Sequence, residues 1–145
     1  MAMNEPAEIR RRVRQTIEEA KRAAAERRNR AQAADRKGSE VLAAVVAPLL
    51  KTVAAALKAE GYSFRVSTPP GTARLSLESS SDDFIELALD TTRTVPALVG
   101  RVSRTWGHRI LTHEIIVVEE PDIVLLTDAN ALEFVMAELP PFVER

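Results

Sequence analysis

Near the N-terminus the apolar side chains are sparse and fall three or four residues apart: Ile9, Val13, Ile17, Ala20, Ala24, Ala31 and Ala34, with Arg27 interrupting the stripe. That spacing is one face of an α-helix. Asn4 supplies a capping acceptor, Pro6 a preset φ, and Glu5 and Glu8 negative charge, so a helix is expected from this point to about Lys37. A helix of about 30 residues reaches about 45 Å, yet a stripe made mostly of alanine buries little surface by itself. Such a helix leans on a second helix or stays partly mobile. Gly38 and Ser39 offer a joint, because glycine weakens a helix and serine caps the next one, with one continuous helix as the alternative. A much stronger stripe follows in Val41, Leu42, Val45, Val46, Leu49, Leu50, Val53 and Leu57, which marks a core helix ending at Gly61. Pro48 inside it lacks a donor and predicts a kink.

From Tyr62 the period changes to two. Tyr62, Phe64 and Val66 share one face of a strand that ends at the turn Thr68, Pro69, Pro70, Gly71, and Leu75 and Leu77 carry the next strand. Ser79, Ser80, Ser81, Asp82 and Asp83 read as a polar connection before a third strand, in which Ile85, Leu87 and Leu89 alternate with Glu86, Ala88 and Asp90. Residues 95–105 and 109–119 read as fourth and fifth strands joined by Trp106, Gly107 and His108. Pro121 ends the last strand. Thr127 before Asp128, Ala129 and Asn130 resembles a capped helix start ahead of Leu132, Val135, Met136 and Leu139, and Pro140 and Pro141 stop that helix. The expected class is α+β: a long N-terminal helix, a five-stranded antiparallel meander and a short C-terminal helix, with the second helical segment and the last helix covering one sheet face. By organisation, residues 1–38 form a basic helical arm and residues 39–145 a globular domain.

The 145 residues, 46% apolar and 28% charged, suit one domain with a real core. The net charge of −1 conceals a division, however: residues 10–37 hold eleven bases against four acids, a net +7, and residues 78–145 hold five bases against thirteen acids, a net −8. No cysteine is present, which removes disulfides, thiolate metal sites and cysteine nucleophiles together and suits a reducing compartment. The N-terminus lacks the pattern of a secretory signal, and no stretch approaches about 18 uncharged apolar residues. A soluble, cytoplasmic protein with no membrane partner is therefore expected.

The arm is the main functional candidate. Its cations Arg10, Arg11, Arg12, Arg14, Lys21, Arg22, Arg27, Arg28 and Arg30 create a field suited to an acidic partner. The expected function is a non-enzymatic interaction or assembly module, homo-oligomeric, in which arms pack together or one arm lies across the acidic domain of a neighbouring chain, with a different acidic protein as the other partner open to the arm. Nucleic-acid phosphates are the alternative partner, although the arm carries no aromatic residue for base stacking and no helix-turn-helix or zinc pattern accompanies it. A small enzyme whose pocket leaves no linear trace is third. Trp106 at the hairpin end completes the candidate set: burial tendency favours the indole folding back on the core, whereas an exposed indole would anchor a partner.

The other residues point away from catalysis. His108 and His113 are the two histidines, and a five-residue step along a strand turns them to opposite faces, so no metal site is expected. The serine run lacks a histidine base and an oxyanion loop. Gly71 and Gly107 are too isolated to cradle a phosphate, and no GxGxxG or GxxxxGK pattern occurs. No cofactor is expected.

Overall fold

The computed structural model describes residues 5–144, so the cap expected of Asn4 lies outside the described residues. The elements run α1 (Pro6–Val41), a π-helical turn (Leu42–Val46), α2 (Ala47–Ala59), β1 (Phe64–Ser67), β2 (Thr72–Leu77), β3 (Ser80–Asp90), β4 (Ala97–Trp106), β5 (Arg109–Glu119), a 3₁₀ turn (Asp122–Leu125), α3 (Asp128–Glu138) and a final short turn of helix, α4 (Pro140–Val143). The strands form one antiparallel sheet in the order β1-β2-β3-β4-β5, the expected meander. The chain is α+β, as its periodicities indicate.

Helix α1 continues through Gly38, and no joint forms there. Gly38 is buried, and a Cβ at that position would lie 2.8 Å from both methyl carbons of Leu89, so the glycine serves close packing of helix on strand. The irregularity comes a turn later. Between Leu42 and Val46 the hydrogen bonds skip an extra residue, and the Ala47 N–H bonds to the Leu42 carbonyl. Pro48 then occupies the first turn of α2, where its missing donor costs nothing. The proline is thus absorbed by a π-turn ahead of it. Two compact units divide between Ala33 and Ala34.

The core of the second unit lies on one face of the sheet. Val46, Leu50, Val53 and Leu57 from the π-turn and α2, and Ala131, Phe134 and Val135 from α3, join Leu75, Ile85, Leu87, Leu98 and Val102 from the strands. Both helical segments therefore cover one face, as their stripes require. The segment around α2 is long and apolar enough to pass for a membrane span by composition alone, contrary to the count of uncharged residues above, but Val46, Leu50, Val53 and Leu57 spend that apolarity on the core.

Two boundaries differ from expectation. Ser80, Ser81, Asp82 and Asp83 belong to β3 instead of a loop. Asp83 explains part of this: it is 1% exposed, and its two carboxylate oxygens accept from the Thr105 N–H at 2.8 Å and the Thr105 hydroxyl at 3.0 Å. A polar residue thereby satisfies the strand-end backbone from within the sheet. At the C-terminus Pro140 and Pro141 end α3 but begin α4, a position that proline tolerates. The Thr127 cap forms as expected, its hydroxyl accepting the Asn130 N–H at 3.2 Å.

Candidate interaction surfaces

All nine basic arm residues are exposed on α1. At about 100° per residue, Arg10, Arg14, Lys21 and Arg28 flank one side of the apolar stripe and Arg12 and Arg30 the other, with Arg27 on the stripe and Arg11 and Arg22 behind it. Arg11 is paired with Glu8 at 2.7 Å, and that hydrogen bond holds the Glu8 carboxyl below its ordinary value. The other eight form no ion pair among the described residues. Ile9, Val13 and Ile17 are 45%, 52% and 48% exposed and, with Arg12 and Thr16, border a shallow apolar strip.

Trp106 does not fold back on the core. It pairs with Arg109 across the β4–β5 turn, is 65% exposed, and stacks under the Arg104 guanidinium at 5.4 Å. The reason is the turn itself: Gly107 and His108 alone close the hairpin, with Gly107 at φ +61°, and so Trp106 is the last ladder residue at the tip, far along the strand from the covering helices. His108 lies in that turn. His113 sits on β5 opposite Val102, with its Nε2 2.9 Å from Glu138 Oε2 on α3. Among the described residues no group of three histidines or acids is placed to hold a metal ion.

A third surface escaped the sequence reading. β5 is an edge strand, and its residues 109–116 are exposed on both faces. Ile110, Leu111, Ile115 and Ile116 are each 41–54% exposed. On the core-facing side, Phe134 of α3 lies directly over Gly100 of β4 and Glu138 at the end of α3 reaches His113 on β5, while Ile115 between them stays 43% exposed. A groove of about 560 Å³ results, floored by Ile115, Val117, Leu125, Leu126, Phe134 and Ala137. Asp122, Glu133 and Glu138 also line it. Asp122 and Glu133 form no ion pair among the described residues. The signal for this edge was the unbroken apolar run of residues 115–118, in which both strand faces are apolar.

On the opposite face of the sheet a row of charges is paired internally. Arg74, Glu86, Arg101 and Glu114 stand in register across four strands, with Arg74–Glu86 at 3.3 Å and Arg101–Glu114 at 2.8 Å. Arg74 also lies 4.4 Å over the Phe84 ring. Alternating signs across the strands neutralise one another, although the buried Nε of Arg74 has no hydrogen-bond partner among the described residues. Comparison with protein-family models, curated proteins and solved structures finds no match for this chain.

Proposed function

We propose that this protein is a non-enzymatic assembly module whose basic, amphipathic arm binds an acidic surface on another copy of the chain. The observation that supports it most is the identity of the exposed stripe. Isoleucine and valine are poorer helix formers than alanine, because β-branching restricts the side chain against the preceding turn. A helix that remained solvated would gain stability by having alanine at these positions, as it does at Ala20, Ala24 and Ala31. Bulky side chains about half exposed at Ile9, Val13 and Ile17 make sense on a contact face. Cations on both flanks give that face its preference for an acidic partner, and the second unit is acidic.

Light scattering on the full chain and on a chain lacking residues 1–33 tests the reading. The cut falls before Ala34 and Gly38, which are buried in the second unit. The full chain is expected to exceed the monomer mass and the shortened chain to fall to it; equal masses would refute the arm's role. Nucleic acid is the competing partner, drawing on the same eight unpaired cations. It predicts duplex binding in a fluorescence assay that weakens steeply with salt and disappears when Arg10, Arg12 and Arg14 become glutamine.

A further inference from the structure

We infer that the groove between β5 and α3 is the receptor for the arm of a second copy, with Ile9, Val13 and Ile17 seated on Ile115, Leu125 and Phe134 and the arm's cations facing Asp122 and Glu133. The inference rests on the assembly reading above and adds the place where the arm binds. Three independent matches support it. The first is length. Ile9 to Ile17 spans eight helical steps, about 12 Å, and the α3 wall of the groove, from Asn130 to Glu138, spans the same eight steps. The second is chemistry: a stripe of branched aliphatic side chains meets a floor of aliphatic side chains and one aromatic ring. Helix-in-groove recognition places apolar anchors three and four residues apart along one helix face, and Ile9, Val13 and Ile17 are spaced four apart.

The third match is charge. Arg12 lies on one flank of the stripe and Arg10 and Arg14 on the other, so a helix laid along the groove presents a cation to either wall. Asp122 sits in the 3₁₀ turn on one side and Glu133 on α3, and neither is committed to a partner in its own chain. Glu138 is different, being held by His113 at 2.9 Å, and takes no part in the test. Opposite charges brought together at a rim steer encounter and fix register, while the apolar seam supplies the affinity.

A charge-exchange experiment on the full chain tests the placement, with the dissociation constant of the oligomer read by analytical ultracentrifugation and the fold monitored by circular dichroism. Asp122→Arg with Glu133→Arg reverses the groove; Arg12→Glu with Arg14→Glu reverses the arm. Both sites are exposed, so each variant is expected to keep the parent's circular dichroism, with a slightly lower melting temperature for the groove variant because Asp122 stands in the first turn of its 3₁₀ helix, where an acid is favourable. Each is expected to weaken association by roughly tenfold or more. Combining all four substitutions in one chain is expected to restore it to within about threefold. If the groove variant associates normally while the arm variant does not, the arm binds elsewhere: this site is overturned and the assembly reading stands. Failure of the combined variant to recover overturns the site in the same way. If the parent is monomeric throughout, or if neither the arm variant nor removal of residues 1–33 changes its mass, both inferences fall.

Discussion

Replacing Gly100 with alanine is expected to destabilise the fold through a single clash. An ideal Cβ at this position lies 2.3 Å and 2.4 Å from Cζ and Cε1 of Phe134 and 3.0 Å from Cε2. Carbon atoms pack at about 3.5–4.0 Å, so the ring must retreat by about 1 Å. It has little freedom to do so, because Phe134 is 7% exposed and is carried on α3, whose first turn is fastened by the Thr127 cap. Overpacking of this kind costs about 1–3 kcal/mol. Alanine returns roughly 0.5–1 kcal/mol of the conformational entropy that glycine loses in a strand, leaving a net loss of about 1–2 kcal/mol. With a urea m-value of about 2 kcal/mol/M, the unfolding midpoint should fall by about 0.5–1 M. Phe134→Leu in the same chain removes the obstructing ring atoms, so the double variant should be less destabilised than the sum of the singles, with a coupling of about 1 kcal/mol. A midpoint for Gly100→Ala equal to or above the parent's, or strict additivity in the pair, would refute the proposed contact.

The second buried glycine should behave differently. At Gly38 the obstructing atoms are the terminal methyls of Leu89, which is only partly buried and can turn aside, and alanine gains about 1 kcal/mol of helix propensity. Gly38→Ala is therefore expected to stay within about 1 kcal/mol of the parent in urea, and a loss as large as that of Gly100→Ala would show Leu89 to be immobile. Thr127→Ala removes the hydroxyl that caps α3 and should cost about 1 kcal/mol, with Thr127→Ser recovering most of it; no loss would mean that the cap contributes nothing. Asp90 is held below its ordinary pKa chiefly by the Thr92 hydroxyl, with burial opposing and the Thr92 N–H and Arg93 assisting. A carboxylate with a depressed folded pKa stabilises the fold above the ordinary carboxylate range and loses that contribution as pH falls through the folded value. Thr92→Val should therefore be less stable than the parent at pH 7, with a gap that narrows below about pH 4, and a gap independent of pH would refute the linkage.

The elements with a clean period were legible from the residues alone. Tyr62 onward alternates with period two on short connections, which forces neighbouring antiparallel strands, and Thr127 with Asn130 marks a helix start by local chemistry. What stayed hidden depended on partners distant in the chain. Nothing near Gly38 reveals Leu89, and nothing near Gly100 reveals Phe134, so a glycine that reads as a joint is in fact a contact point. Asp83 lies in a run of serines and acids that looks like a loop, and only its pairing with Thr105, 22 residues away, makes it a strand residue. The arm was visible because charge is a local property. The exposed apolar edge at β5 was not, since an apolar run on a strand suggests burial until the strand order makes β5 an edge. Trp106 stood open to two readings for a related reason: burial tendency knows nothing of where a hairpin outruns the helices that cover its base.

The two edges of the sheet differ in a way that bears on assembly. β1 has four residues, offering little length for another strand to pair with, whereas β5 has eleven and presents apolar side chains on both faces. Sheet-to-sheet pairing through β5 would leave the basic arms without an acidic partner, and parallel arm-to-arm pairing would set Arg10, Arg12 and Arg14 against their own copies. Arm-to-groove contact would instead bring opposite charges together, and on the proposed reading the division of +7 from −8 would act as a selection rule for association. Unlike surfaces joined head to tail either close or grow without limit. Because each chain carries one arm and one groove, reciprocal exchange between two copies uses every surface and closes at a dimer, while one-way contact leaves an arm and a groove free at the ends and builds a filament. Arm-to-groove binding therefore predicts a mass that levels off at twice the monomer as concentration rises if exchange is reciprocal, and a mass that keeps climbing if it is not; in either case reversing the groove or the arm alone should move the growth to roughly tenfold higher concentration.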